Sequence, residues 1–167
     1  RTTREILPTE AFEQITELNI FARDNVGQAL ARSGRHEYLD GIVNQCHQLT
    51  GTLFGTMSHN LGYRFIRLGQ NVERTDMTTR ILDVGSTRLL AKGDELPETY
   101  QMALWMSVLR SLSAYQMYRQ HVPDRVNAED VVDFVLKDKS FPRSVAHCLE
   151  ELKICCSSLP RGEEPVR

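Results

Sequence analysis

Four ionisable residues with the potential for chemistry recur at three- and four-residue steps in the middle of the chain: Glu73, Asp76, Arg80 and Asp83. Clustered carboxylates can act as general bases, bind cations or pair with arginines. On a helical wheel of about 100° per residue, all four fall within about 80° of Phe65. The aliphatic residues of that sector are Leu61, Leu68 and Val72. We therefore expect an inward or cleft-facing set of three acids and one base.

The opposite side of the same helix is polar and is expected to face solvent. It carries Arg67, Gln70, Asn71, Arg74 and Thr78. The wheel thus predicts that Arg74 points about 100° away from its neighbour Glu73, so the two need not act together.

Buried charges are costly unless they are paired, so the inward set needs cations. Arg80 can pair with Asp76 or with Asp83, but one arginine cannot neutralise three carboxylates. Further cations would come from Arg110 or Arg119, from an upstream segment, or from a bound ligand or metal. Three interpretations stay open: a salt-bridge network between helices, a ligand-binding or catalytic cleft, and a carboxylate metal site.

Other candidate sites are weaker. Di-iron bundles use Glu-x-x-His on paired helices, and no histidine follows His59 on this helix, which makes the metal interpretation the weakest of the three, and we name no metal ligand. His47 and His147 each adjoin a cysteine in sequence, and on a helix two such neighbours point about 100° apart. A Cys–His nucleophilic pair would therefore need residues from two helices to meet. Trp105, Tyr115 and Tyr118 at helical spacing indicate core positions rather than a base-stacking platform. We name no catalytic residue beyond the candidates Glu73 and Asp76.

The elements that would position these residues are all helical. Apolar residues recur at three- and four-residue steps, which predicts an all-α bundle of about six helices over residues 1–160, followed by a loop or tail at 161–167. The predicted helices cover about residues 9–33, 36–55, 60–90, 97–121 and 131–136, with a last one from 140–142 to 159. The third, about 45 Å long at 1.5 Å per residue, would be the long central helix. Ser58 is predicted to cap it, and Asn127 with Asp130 resembles a capping box.

Composition excludes several classes of function. The net charge of −2 gives no electrostatic basis for binding nucleic acid, and no apolar run is long enough to span a membrane. The four cysteines, Cys46, Cys148, Cys155 and Cys156, lack a metal or redox spacing. They are expected to be free thiols in a reducing cytoplasm.

Residues 68–84, LGQNVERTDMTTRILDV, resemble the hallmark of the alpha-E family, a bacterial helical domain named for its Glu-Arg motif. Residues 1–8, 55–59, 105–119 and 141–146 are also similar to the family, so the resemblance covers most of the chain. It implies that an earlier Glu-Arg helix normally precedes this part, so the domain is expected to lack its N-terminal portion.

The resemblance also implies partners. Family members are encoded beside, or fused to, a circularly permuted ATP-grasp ligase, often with a transglutaminase-like protein. ATP and Mg would then act only through the ATP-grasp partner, and the domain itself would hold no cofactor. The leading hypothesis is an accessory domain of a peptide or amide ligase system, with Glu73, Arg74, Asp76, Arg80, Asp83, Arg110 and Arg119 as binding residues. The alternatives are an enzyme that uses buried Glu73 or Asp76 as general base and a purely structural bundle.

Overall fold

The computed structural model describes residues 3–90 and 97–159, and within them it contains α-helices and no strand. A short 3-10 helix (Thr3–Glu5) comes first. The α-helices are α1 (Thr9–Asp24), α2 (Val26–Leu30), α3 (Arg35–Thr56), α4 (Leu61–Leu90), α5 (Glu98–Ser111), α6 (Tyr115–His121), α7 (Ala128–Lys137) and α8 (Val145–Ser157). The all-α prediction is confirmed. The predicted tail at 161–167 lies outside the described residues.

The chain forms two compact units, residues 1–63 and 64–167. The prediction of a single domain stays a prediction. In the first unit α1 and α2 pack on α3. Helices α1 and α3 approach closely. The rings of Phe21 and Tyr38 stack at 5.9 Å, and a Cβ on Gly41 would lie 2.5 Å from the Phe21 ring.

The first predicted helix is in fact two helices, because the helical backbone is interrupted at Asn25. The Asn25 side chain donates to the Phe21 carbonyl at 2.9 Å and accepts from Gln28 Nε2 at 3.0 Å. A side-chain amide that binds nearby polar groups in this way competes with the helical hydrogen bonds. The stripe of apolar residues continues across the break, so the pattern did not reveal it.

The fourth predicted helix also divides, into α5 and α6, at a Schellman motif. Ser113 N donates to Arg110 O at 2.9 Å, and Ala114 N donates to Leu109 O at 2.7 Å. Ser113 adopts φ 52°, the left-handed conformation that this motif requires. Glycine usually supplies that conformation, and a serine gave no signal of it.

Side-chain caps fix three helix starts. Asn127 Oδ1 accepts from Asp130 N at 2.9 Å, as the sequence predicted. Asn60, and not Ser58, caps α4, since its Oδ1 accepts from Gly62 N at 3.0 Å. Ser144 caps α8 by accepting from His147 N at 3.1 Å, so the last helix begins later than the predicted 140–142.

The core of the second unit lies between α5, α7 and the segments that flank them. Its members are Leu82, Trp105, Val108, Leu109, Leu112, Ala114, Tyr118, Val126, Val131, Phe134, Val135 and Phe141. Helix α4 joins this core at Gly85, where a Cβ would lie 2.7 Å from Val108 Cγ2. No helix within residues 3–90 and 97–159 combines the length and hydropathy that crossing a membrane requires.

Two glycines of α4 provide a matched test of this packing. A Cβ on Gly69 would have nothing within 4 Å, whereas a Cβ on Gly85 would be in tight contact with Val108. Gly69→Ala should raise the free energy of unfolding by about 0.5–1 kcal/mol through helix propensity. Gly85→Ala should be less stable than Gly69→Ala by about 1–3 kcal/mol because the methyl group overpacks the contact. Urea unfolding followed by circular dichroism measures both, and equal effects would contradict the α4–α5 packing.

Candidate functional site

A stripe of polar residues on α4 is buried in the second unit. Asn71 and Thr78 are 0% and 1% exposed, and Arg67 and Arg74 are half-buried. Their positions follow at four-, three- and four-residue steps, which places them on one face of the helix. We call this set, Arg67, Asn71, Arg74 and Thr78, the buried polar stripe.

Three members of the buried polar stripe contact α8 or the loop at residues 138–144, whereas Asn71 Nδ2 donates to Arg67 O of its own helix at 2.9 Å and Asn71 Oδ1 has no hydrogen-bond partner among the described residues. Arg74 Nη1 donates to the Pro142 carbonyl at 3.2 Å, and Thr78 Oγ1 donates to the Arg143 carbonyl at 2.9 Å. Arg67 pairs with Glu151 of α8, with 2.7 Å between Nη2 and Oε2. Two consecutive backbone carbonyls are thus held by two side chains one turn apart on α4.

The loop that presents these carbonyls is ordered by its own side chains. Asp138 Oδ1 accepts from Ser140 N at 2.8 Å and from Phe141 N at 2.6 Å. Ser144 Oγ donates to the Asp138 carbonyl, and His147 Nδ1 lies 2.8 Å from the Lys139 carbonyl. The loop is therefore tied to the end of α7, to the start of α8 and to α4.

The electrostatics around Arg74 are dominated by its burial. Desolvation lowers the pKa of Arg74 below its usual value, and Arg143 and Arg67 act in the same direction, while Cys148 and Glu151 raise it. A guanidinium remains charged in spite of such shifts. The charge is held by a carbonyl rather than by a carboxylate, since Arg74 has no ion pair among the described residues. Arg74 and Thr78 thus hold the loop against α4, and we call their hydrogen bonds to the carbonyls of Pro142 and Arg143 the clamp.

The predicted inward set is instead exposed, so that prediction is wrong. Glu73, Arg80 and Asp83 are exposed and Asp76 is partly so, with 2.8 Å between Arg80 Nε and Asp76 Oδ2. The predicted wet face is the buried one. The wheel assigned the inner side by aliphatic content, but the side that packs is the one whose donors meet carbonyls and a carboxylate of the second unit. Of the aliphatic residues of the predicted inner face, Leu61 and Val72 are 43% and 49% exposed and Leu68 is partly buried.

The arginines predicted to neutralise the acids have other contacts. Arg110 lies over the Tyr115 ring at 5.7 Å, and Arg119 donates to the Asp124 carbonyl. Neither forms an ion pair with the acids of α4 within the described part of the chain. The acids of α4 are exposed to solvent, so these arginines are not needed to neutralise their charge.

The remaining candidate residues, the aromatic side chains and the cysteines, occupy positions that packing explains. Trp105 and Tyr118 are buried, as predicted for core residues. Cys148 Sγ lies 3.5 Å from the Pro142 carbonyl, and all four cysteines are free thiols, as predicted. Among residues 3–90 and 97–159, no group of three or more His, Cys, Asp or Glu residues is arranged to hold a metal ion.

The clamp predicts that the two residues of the Glu-Arg pair contribute very differently to stability. Arg74→Gln should lower the free energy of unfolding by about 1–2 kcal/mol, because a charge-assisted hydrogen bond to a carbonyl is lost. Thr78→Val should cost a similar amount, since it removes a buried hydroxyl hydrogen bond. Glu73→Gln, the matched control on the exposed side, should change stability by less than about 0.5 kcal/mol. A larger loss for Glu73→Gln than for Arg74→Gln in urea unfolding would overturn the assignment.

Comparison with known proteins identifies the family. A family model described as a predicted alpha-helical domain with a conserved ER motif matches residues 1–167. No curated protein and no solved structure matched in the same comparisons. The chain contains a single Glu-Arg dipeptide, Glu73-Arg74, so the motif falls on α4 with its arginine in the buried polar stripe. The chain belongs to the Alpha-E family.

Proposed function

We propose that this domain is an accessory or partner domain of an ATP-grasp peptide or amide ligase system and that it docks through the outer side of α4. We call this surface the exposed α4 face. It consists of Phe65, Val72, Glu73, Asp76, Met77, Arg80, Asp83 and Val84.

The observation that carries the proposal is the apolar content of that face. Four large apolar side chains, Phe65, Val72, Met77 and Val84, are each 48–54% exposed. Single exposed apolar residues are common, but a row of them along one helix marks a surface suited to protein–protein contact. Helix-in-groove recognition uses anchors that include an i, i+7 spacing, which Phe65 with Val72 and Met77 with Val84 each show, the second pair lying about 120° around the helix from the first.

The charges of the face specify the chemistry of the partner. Three carboxylates stand against one guanidinium, and Arg80 is already paired with Asp76. Glu73 and Asp83 have no ion pair among the residues that the structure describes. A complementary surface would combine apolar side chains with lysine or arginine near the rim, where charge governs specificity and association rate.

The identity of the partner rests on the family. The alpha-E resemblance associates such domains with a circularly permuted ATP-grasp protein or domain and, in some cases, with a transglutaminase-like protein. ATP and Mg would be held by the ligase, and this domain would contribute a docking surface. The free thiols fit a cytoplasmic setting for such a complex.

No observation favours the alternative of an independent enzyme. A carboxylate acting as general base near neutral pH needs burial or a like charge beside it. Glu73 is exposed, and Asp76 is engaged by Arg80. The purely structural alternative assigns no role to the apolar residues exposed on α4.

Docking through the exposed α4 face predicts a selective loss of binding. Val72→Glu should weaken binding of the ATP-grasp protein encoded beside this domain by about tenfold or more, because a charge enters the apolar row. Folding should be unaffected, since the site is on the surface. Isothermal titration calorimetry with the purified ligase measures the affinity.

Ile154→Glu provides the matched control, because Ile154 on α8 is exposed to a similar degree but lies off this face. It should bind as the unmodified chain does. Wild-type binding should also weaken as salt rises, since exposed charges are screened. Failure of the unmodified domain to bind the ligase, or equal binding by Val72→Glu, would refute the proposal.

A further inference from the structure

The first unit buries few apolar side chains for its size. Among its described residues, the buried apolar side chains are Ala11, Leu53 and Met57. Helices α1 and α3 form an antiparallel hairpin, in which Tyr38 Oη donates to the Ala22 carbonyl at 3.1 Å. A layer of helices is stable when its apolar side is buried against another element. A hairpin of two helices supplies only one such contact, so apolar residues beside the contact stay uncovered.

Helix α3 carries a row of these uncovered residues. Leu39, Val43 and Phe54 are 51%, 48% and 68% exposed. Cys46 and Thr50 lie between them and are exposed as well. The five residues follow at steps of four, three, four and four, which places them within about 80° on one side of the helix. This spacing is that of a seam between two packed helices.

Helix α1 adds Ile15, which is 38% exposed, to the same side of the hairpin. On the wheel, Ile15 lies about 70° from the centre of the α1 residues that pack on α3. The α3 row lies about 120° from the centre of its own packed residues, in the same rotational sense. Because the helices are antiparallel, the same sense of rotation from their contact leads to the same side of the hairpin. We call this surface the open hairpin face; it consists of Ile15, Leu39, Val43, Cys46, Thr50 and Phe54.

The size and charge of the open hairpin face fit a second copy of this chain. Its four large apolar side chains expose on the order of 350 Å² in total, at about 150–200 Å² for each when fully exposed. Two such faces and the helix edges around them would bury on the order of 1,000 Å², the size at which specific interfaces begin. The face contains no Asp, Glu, Lys or Arg, so two copies would meet without repulsion between like charges.

The order of residues along α3 is complementary to its own reverse. A two-fold axis between residues 46 and 47 would place Leu39 opposite Phe54 of a second copy and Val43 opposite Thr50. The two Cys46 side chains would meet beside the axis. Two-fold dimers are the commonest homo-oligomers, and they use the same surface on both subunits.

The same axis is level with the apolar residue of α1. A Cβ on Gly41 would touch the Phe21 ring, so these two residues are level with each other in the hairpin. Counting about six residues from each toward the axis reaches residues 46–47 on α3 and Ile15 on α1. The two Ile15 side chains would therefore also face each other.

We propose that the chain forms a two-fold symmetric dimer in which the open hairpin faces of two copies pack together and the two α3 helices run antiparallel. Helices α1 and α3 of both copies then make a four-helix bundle, with the row on α3 in its core. The proposal does not depend on the docking function, because the open hairpin face shares no residue with the exposed α4 face.

Sedimentation of the full chain tests the dimer. The unmodified chain should sediment as a dimer at about 100 μM. Val43→Glu should weaken dimerisation by about tenfold or more, because it brings a carboxylate into the apolar seam. Ile20→Glu is the matched control, since Ile20 is 52% exposed but lies about 140° around α1 from Ile15. It should dimerise as the unmodified chain does. A monomeric unmodified chain, or equal dimerisation by the two variants, would overturn the proposal.

Cysteine cross-linking tests the antiparallel arrangement and does not depend on the folding of Val43→Glu. Of the four cysteines, all described by the structure, Cys46 and Cys156 are exposed and the other two are buried. In a Cys156→Ser chain, a short bismaleimide should therefore join two copies through Cys46. Adding Cys46→Ser should abolish the cross-link. A Cys156→Ser chain that sediments as a dimer but forms no cross-linked dimer would overturn the antiparallel arrangement.

Discussion

The second unit depends on the hydrogen bonds by which Arg74 and Thr78 hold the carbonyls of Pro142 and Arg143. Pro142 and Arg143 are exposed residues, but their carbonyls face α4, where the half-buried Arg74 and the buried Thr78 donate to them. A guanidinium supplies a strong donor without a counter-carboxylate, and a threonine one turn further along α4 supplies the next. The loop must in turn be correctly placed, because Ser144 at its end caps α8. Helix α4 therefore positions α8 through a short run of backbone.

This constraint gives the two residues of the Glu-Arg motif separate roles. Arg74 lies on the packed side and Glu73 on the exposed side, as expected for neighbours about 100° apart on a helix. A motif of adjacent residues can thus combine an internal structural contact with a surface one. The exposed α4 face is left free of contacts to the core of the second unit, which is why we propose it as the docking surface.

The sequence predicted the all-α class, the start of α4 to within a residue and the Asn127 cap, because these follow from periodicity and from local side-chain chemistry. It did not predict the break at Asn25 or the left-handed Ser113, since neither interrupts the apolar stripe and serine does not favour φ above zero. Both are properties of the backbone at a single residue.

Which face of α4 packs against the rest of the second unit could not be predicted, for a different reason. A helical wheel separates two stripes, but only the partner elements decide which of them packs. Asn71 and Thr78 are polar residues of ordinary appearance, and nothing in α4 itself indicates that carbonyls of residues 142–143 and the Glu151 carboxylate will meet their stripe. The helical wheel groups these two residues with Arg67 and Arg74 on one face, but it assigns that face to solvent because the face lacks aliphatic residues.

The most direct test of the clamp is amide hydrogen exchange in the Arg74→Gln variant. Ser144 N donates to Phe141 O, and Cys148 N donates to Ser144 O, so these amides report on the loop and on the first turn of α8. The clamp predicts that they lose protection selectively, by about tenfold or more, while amides of α5 and α7 keep theirs. Unchanged protection at Ser144, His147 and Cys148 would contradict the account.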